Sequence, residues 1–249
     1  MMIDSHAHMC YPTYDKDRER IVGECRKRLK AVIASSARYD ESLKVLELCA
    51  MHNGFLYATI GCHPTELQDA EKVLDLIQKN KGKIAGIGEA GLDYHWVKEP
   101  EKRLEQKAVF EKFISLAEEL NLPLVIHSWD AEQDCFEMVK GRDAFAVFHC
   151  YSGSRELERE IIRKGHMISV STQACFSKSH RKLARDLPLE NLLLETDSPF
   201  LSPVKTEEEK RNFPWNITYA AERVAKEKGI GAEKVMEAAE ENARRVFRI

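Results

Sequence analysis

Short runs of apolar and β-branched residues recur along the chain, with longer amphipathic stretches between them, the pattern of strands alternating with helices. Eight runs stand out: MIDSH, AVIAS, LYATIG, IAGIG, LVIHS, AFAVFH, MISVS and NLLLET, beginning near Ile3, Ala31, Leu56, Ile84, Leu124, Phe145, Met167 and Asn191. In intervening segments such as KVLDLIQKN and RLEQKAVFEKFISLAEEL the apolar positions step by three and four, as on one face of a helix. A loop rich in Glu and Lys follows the eighth run, and helices are expected over 219–228 and 232–245. Eight strand-then-helix repeats in 249 residues predict an α/β fold, a (β/α)8 TIM barrel built as a single domain over 1–249, with an additional C-terminal helix. An open doubly wound sheet is the alternative. No Pro-rich, Gly/Ser-rich or low-complexity tract divides the chain.

Composition narrows the function more than the fold. The 43% hydrophobic fraction can build a sizeable core and excludes disordered and fibrous classes. With 38 Lys and Arg against 41 Asp and Glu, the net charge is -3, so no global basic field advertises nucleic acid and any polyanion must be held locally. No apolar run approaches the roughly 18 residues of a membrane span, and MMIDSHAH lacks a signal-like core, so a cytoplasmic protein without a membrane or an obligate protein partner is expected. The seven cysteines are scattered and form no Cys-x-x-Cys, which points to reduced thiols.

Histidines collect where chemistry collects in a barrel. His6, His8, His63, His127 and His149 fall at or just after the carboxyl ends of predicted strands, with Glu89 closing the fourth and Asp197 the eighth. His6 and His8 are two apart on a strand, so both rings face one side. Four imidazoles and two carboxylates suit two divalent ions, Zn, Mn or Mg, with Mg the weaker match because it prefers oxygen. Six ligands are too many for one tetrahedral ion. The economical arrangement shares Glu89: His6, His8, Glu89 and Asp197 around one ion, and Glu89, His127 and His149 around the other, the ions about 3.5 to 4 Å apart.

The segments DSHAH, GCHP, GEAGLDY, VIHS, FHCYSG and LLLETDSPFLSP, in this order and spacing, resemble the TatD family of metal-dependent deoxyribonucleases among the amidohydrolase-like barrels. The resemblance runs from Asp4 to the C-terminal ENARRVF and implies a barrel and a divalent-metal phosphodiesterase acting on DNA. The family's metal ligands fall on His6, His8, Glu89, His127, His149 and Asp197, with Asp197 and Glu89 as the catalytic carboxylates. Two loops depart from the family pattern: VSTQACFSKSHRKLAR after the seventh strand and KTEEEKRNFPWN after the eighth. Both lie where substrate should sit, so the metal chemistry transfers better than the substrate.

Around that ring stand further candidates. His63, before Pro64, is placed to contact a substrate phosphate or to support a ligand. Asp4 and Glu195 share strand parity with the ligands and are expected to orient a ligand imidazole; Asp93 would do the same or order its own turn. Lys178, His180, Arg181 and Lys182 after strand seven, and Lys205, Lys210 and Arg211 after strand eight, offer either a phosphate grip or a solvated charged face. His95, with Tyr94 and Trp96, packs at the rim or stacks on substrate, and Trp96, Trp129 and Trp215 all fall on strand-to-helix loops where unpaired bases could stack. GIGEAG matches a dinucleotide fingerprint, yet no helix opens after it, and its glycines are expected to let the backbone approach the metals. Cys62 and Cys150 neighbour His63 and His149 but face the opposite way, so inert thiols are expected. The same metal site could instead hydrolyse an amide or ester, including an aminoacyl group on RNA, or serve a non-catalytic binding module.

Overall fold

The computed structural model describes residues 1–204 and 211–249. Eight strands hydrogen-bond in sequence order within one sheet. They are β1 (Met2–Ala7), β2 (Leu29–Ser35), β3 (Leu56–Ile60), β4 (Ile84–Asp93), β5 (Leu124–Trp129), β6 (Ala146–Phe148), β7 (Met167–Val170) and β8 (Leu192–Leu194). The helices are α1 (Arg18–Arg28), α2 (Tyr39–Met51), α3 (Ala70–Asn80), α4 (Pro100–Leu120), α5 (Glu132–Val139), α6 (Arg155–Arg163), α7 (Lys178–Asp186), α8 (Ile217–Lys228) and α9 (Ala232–Phe247). The last strand returns to the first: Ala7 bridges Ser198 in parallel, the His8 amide donates to the Ser198 carbonyl and the Asp197 amide to that of His6. Parallel strands in the order one to eight, a helix after each and the first beside the last make the (β/α)8 class, with α9 as the added C-terminal helix.

By proximity the chain forms two compact units, Met1–Ala34 with Leu48–Tyr57 and Ser169–Ile249, and Ser35–Glu47 with Ala58–Ile168. In the first, Ile3, Val32, Leu192 and Leu193 of the strands and Val224 and Val235 of α8 and α9 are fully buried. In the second, Ile60, Ile87, Ile126 and Phe148 play that part with Phe110 and Phe113 of α4. The strands read as unbroken apolar runs because parallel strands are covered on both faces. Local chemistry sets the helix ends. Ser154 caps α6 by accepting from the Leu157 amide, Pro100 opens α4, and Gly229, with a positive φ of 68°, closes α8.

The fourth strand differs from expectation. It runs on to Asp93, so Glu89 lies inside β4 rather than at its end. The register against β5 slips between Ile87 and Ala90 and then resumes with Gly91 opposite His127 and Asp93 opposite Trp129. Its glycines have another use than the expected one. A Cβ on Gly91 would overlap the His127 carbonyl, and one on Gly88 that of Val125, so they let β4 approach β5 rather than a metal. No helix opens at GIGEAG, which removes the dinucleotide reading.

Candidate metal centre

In the first unit, β1 carries His6, His8 follows just past its end, and the chain leaving β8 brings Asp197 to them. The two Nε2 atoms lie 3.4 Å apart, and Asp197 Oδ1 is 3.7 Å from His6 and 3.4 Å from His8. Asp197 holds a positive φ of 53°, a conformation Asp tolerates better than bulkier residues, and its amide donates to the His6 carbonyl. The carboxylate is therefore tied through the main chain to the strand that carries the histidines.

In the second unit, Glu89 Oε2 lies 2.9 Å from His149 Nε2 and 3.4 Å from His127 Nδ1, and these ring nitrogens are 3.5 Å apart. Glu89, His127 and His149 thus form one group able to hold an ion, and His63, Asp93 and His127 form another that shares His127. The His127 ring is gripped on its far side, with Nε2 3.0 Å from Asp93 Oδ2. Burial alone would lower the His127 pKa, but the bonds to Asp93 and Glu89 outweigh it and raise the net value. Asp93 moves the opposite way: burial would raise it, yet His127 and the Trp96 amide hold it down.

Donor spacing tests whether such residues suit a cation. Donors about 2.1 Å from one ion lie about 3.4 Å apart at tetrahedral angles and about 3.0 Å apart at octahedral ones. The separations of 3.4, 3.4 and 3.7 Å in one triad and 2.9, 3.4 and 3.5 Å in the other match a common ion in each. Imidazole and carboxylate together are the donor set of borderline divalent ions.

The supporting residues divide. Asp93 both grips His127 and orders its turn, accepting at Oδ1 from the Trp96 amide over 2.7 Å. Asp4 departs from the expected role: its oxygens accept from the amides of His6 and Thr196 and from the Thr196 hydroxyl, not from an imidazole. It joins the main chains that carry His6 and Asp197, and burial pushes its carboxyl well above the usual range against the lowering by those bonds. Glu195 is fully buried and accepts from the Ser169 hydroxyl over 2.7 Å. The His63 ring meets His127 at 4.2 Å between centroids, and its Nδ1 is 2.7 Å from the Thr65 hydroxyl and accepts from the Thr65 amide. That fixes Nδ1 as the acceptor and leaves the proton on Nε2.

The basic residues after strand seven scatter. Lys178 and Lys182 are exposed. Arg181 turns back to Glu227 of α8 at 3.9 Å and to the Cys175 carbonyl, a helix-packing position. His180 is buried, its Nδ1 2.8 Å from the Ser177 hydroxyl. Arg211 forks onto Asp17 and covers the rings of Tyr14 and Phe213, while Lys205 and Lys210 lie outside the described residues. Cys62 is buried, donates to the Glu66 carbonyl and has its pKa pushed up to about 12 by burial, as an inert thiol should.

Three supports had escaped the sequence reading. Thr196 ties Asp4 to β8, Thr65 sets the His63 tautomer, and Gln106 of α4 accepts from the Asp93 amide while donating to the Pro64 carbonyl. Gln106 carried a signal, because it continues the buried helical stripe of Phe110, Phe113 and Ala117, where a polar residue must find partners.

The description "TatD related DNase" belongs to the family model that matches residues 3–248. An uncharacterized metal-dependent hydrolase of Methanocaldococcus jannaschii is 38% identical over 99% of this chain and 96% of its own. Human deoxyribonuclease TATDN3 is 32% identical over 99% and 94%. The crystal structure of YJJV, a TatD homologue from Escherichia coli K12, superposes with a TM-score of 0.90 at 24% identity over 100% of this chain and 98% of its own, a likeness of fold. With a family model spanning nearly every residue and relatives alike from end to end, the chain belongs to the TatD-related DNase family.

Proposed function

We propose that this metal-dependent hydrolase cleaves phosphodiester bonds of DNA, at single strands or strand ends, on two divalent cations. His6, His8 and Asp197 would hold one and Glu89, His127 and His149 the other. The observation that carries the reading is the donor spacing: two triads of imidazole and carboxylate, each matched to one ion, on or just after strands of a (β/α)8 sheet. Bound there, such cations supply a water of lowered pKa and neutralise charge on phosphoryl oxygens.

The protein's own groups do the rest. Asp197 presents a carboxylate that can accept a proton and orient the attacking water. His63, its Nδ1 held at Thr65, stands against the His127 ring. Asp93 keeps the His127 ring from turning.

The test is digestion of end-labelled single-stranded DNA with Mg or Mn by the wild type, by Glu89→Ala and with chelator. Release of mononucleotides by the wild type, lost in both controls together with two-ion occupancy in the variant, is the expected result. Intact DNA with two ions tightly bound would move the assignment to carbonyl hydrolysis. Full activity and full metal content in Glu89→Ala would overturn its role as a metal ligand.

A further inference from the structure

We propose that Trp96 and Trp129 form a stacking corner for an unpaired nucleobase of the substrate strand, an inference that rests on the phosphodiesterase reading. Most large apolar side chains of the chain are buried, but Trp96 is 67% and Trp129 42% exposed. Water contact on that much aromatic surface is costly unless a partner covers it. The two indoles meet at right angles, with centroids 6.1 Å apart and planes at 84°. His95 backs the corner, stacked on Trp129 at 3.9 Å and 7° and edge-on to Trp96 at 5.1 Å. Asp130, 3.1 Å from His95 Nδ1, holds that ring in place.

The corner is built on the same backbone as the metal triad. Asp93 pairs with Trp129 across β4 and β5, and the Tyr94 amide donates to the Trp129 carbonyl over 2.9 Å. The Trp96 amide donates to Asp93 Oδ1, whose other oxygen faces His127. One carboxylate therefore sets both the ring of a candidate metal ligand and the position of an exposed indole. The charge beside the corner is mixed, with Lys98 on the Tyr94 carbonyl over 2.7 Å and the Arg103 guanidinium 4.3 Å over the Tyr94 ring but Asp130 against His95, so the aromatic face rather than a basic field carries the contact. Trp215 has no part in it, since it stacks on Phe213 with Arg28 of α1 over its ring.

A flat aromatic face beside a phosphate-cleaving centre selects strands whose bases are free to leave the stack, because every base offers a π-face whatever its identity. A base held in a duplex does not reach it. This makes the corner a determinant of single-strand or frayed-end preference rather than of sequence.

The test uses metal-loaded enzyme, a fluorescein-labelled thymidine dodecamer with nuclease-resistant linkages and an abasic strand of the same length. Anisotropy gives Kd for each, and the cleavable counterparts give KM. The wild type should prefer the base-bearing strand by about tenfold or more, the scale of base–aromatic stacking. Trp96→Ala and Trp129→Ala should remove that discrimination, and Trp96→Phe should keep it. Discrimination that persists in both alanine variants, or is absent from a wild type that still cleaves DNA, overturns the corner and leaves the phosphodiesterase reading standing. A wild type that neither binds nor cleaves either strand overturns the phosphodiesterase reading itself.

Discussion

Asp93 is the residue on which most of the site's local order turns. Its carboxylate faces His127 and the Trp96 amide, and its own amide is held by Gln106. Asp93→Asn keeps an oxygen for the Trp96 amide but ends the carboxylate–imidazole pair. Metal affinity should fall by about 10- to 100-fold with the fold intact, as isothermal titration and circular dichroism would show. Residue positions were legible where one rule decided them: parity on a strand puts His6 and His8 on one face, and their Nε2 atoms do meet. Parity also put Asp4 on that face, yet its partners are main-chain amides. Which neighbour a short carboxyl reaches is set by the strand beside it, and that neighbour is almost 200 residues away along the chain.

At the scale of elements, β4 is the strand that tolerates least change. Gly91 needs a φ of 153° and leaves no room for a Cβ beside the His127 carbonyl. Gly91→Ala should cost about 3 kcal/mol or more, measured as a lower urea midpoint with unchanged slope, and should displace His127. The junction before β7 holds a pH-sensitive group. His166 is buried, accepts from the Ala146 amide, and has its pKa pushed down from 6.5 to about 4 by burial. Between those values the unfolded chain binds a proton that the folded one does not. Stability is therefore full above pH 6.5 and falls by roughly 3 kcal/mol as pH drops toward 4. His166→Gln keeps an acceptor without the titration and should flatten that slope in denaturant melts at stepped pH. Strand starts were readable to within a residue or two, from Leu29 against an expected Ala31 to Leu192 against Asn191. The reach of β4 to Asp93 was not, because glycines in the run look like a loop until a partner strand is seen to need them.

For the molecule as a whole, the two compact units are not two stretches of chain. The first is made of three segments and the second of two, with α2 shared between them. A chain that crosses so often between units is expected to fold as a single domain over 1–249, and urea unfolding followed by tryptophan fluorescence and by circular dichroism should give one coincident transition. Two separated transitions would assign the units independent stability. The net charge of -3 leaves polyanion binding to local groups, and among the described residues Arg181 and Arg211 already face carboxylates. Among the described residues no helix is long and apolar enough to cross a membrane.

The sequence alone determined the alternation of strand and helix, hence the fold class and the strand ends on which imidazoles and carboxylates would stand, because periodicity and parity are local properties of the chain. The tertiary structure alone decided which of those groups are neighbours: that Asp93 grips His127, that Asp4 binds main chain, that Arg181 turns to α8, and that two of three tryptophans meet. Such pairings depend on distances between elements far apart in sequence, and no local pattern carries them.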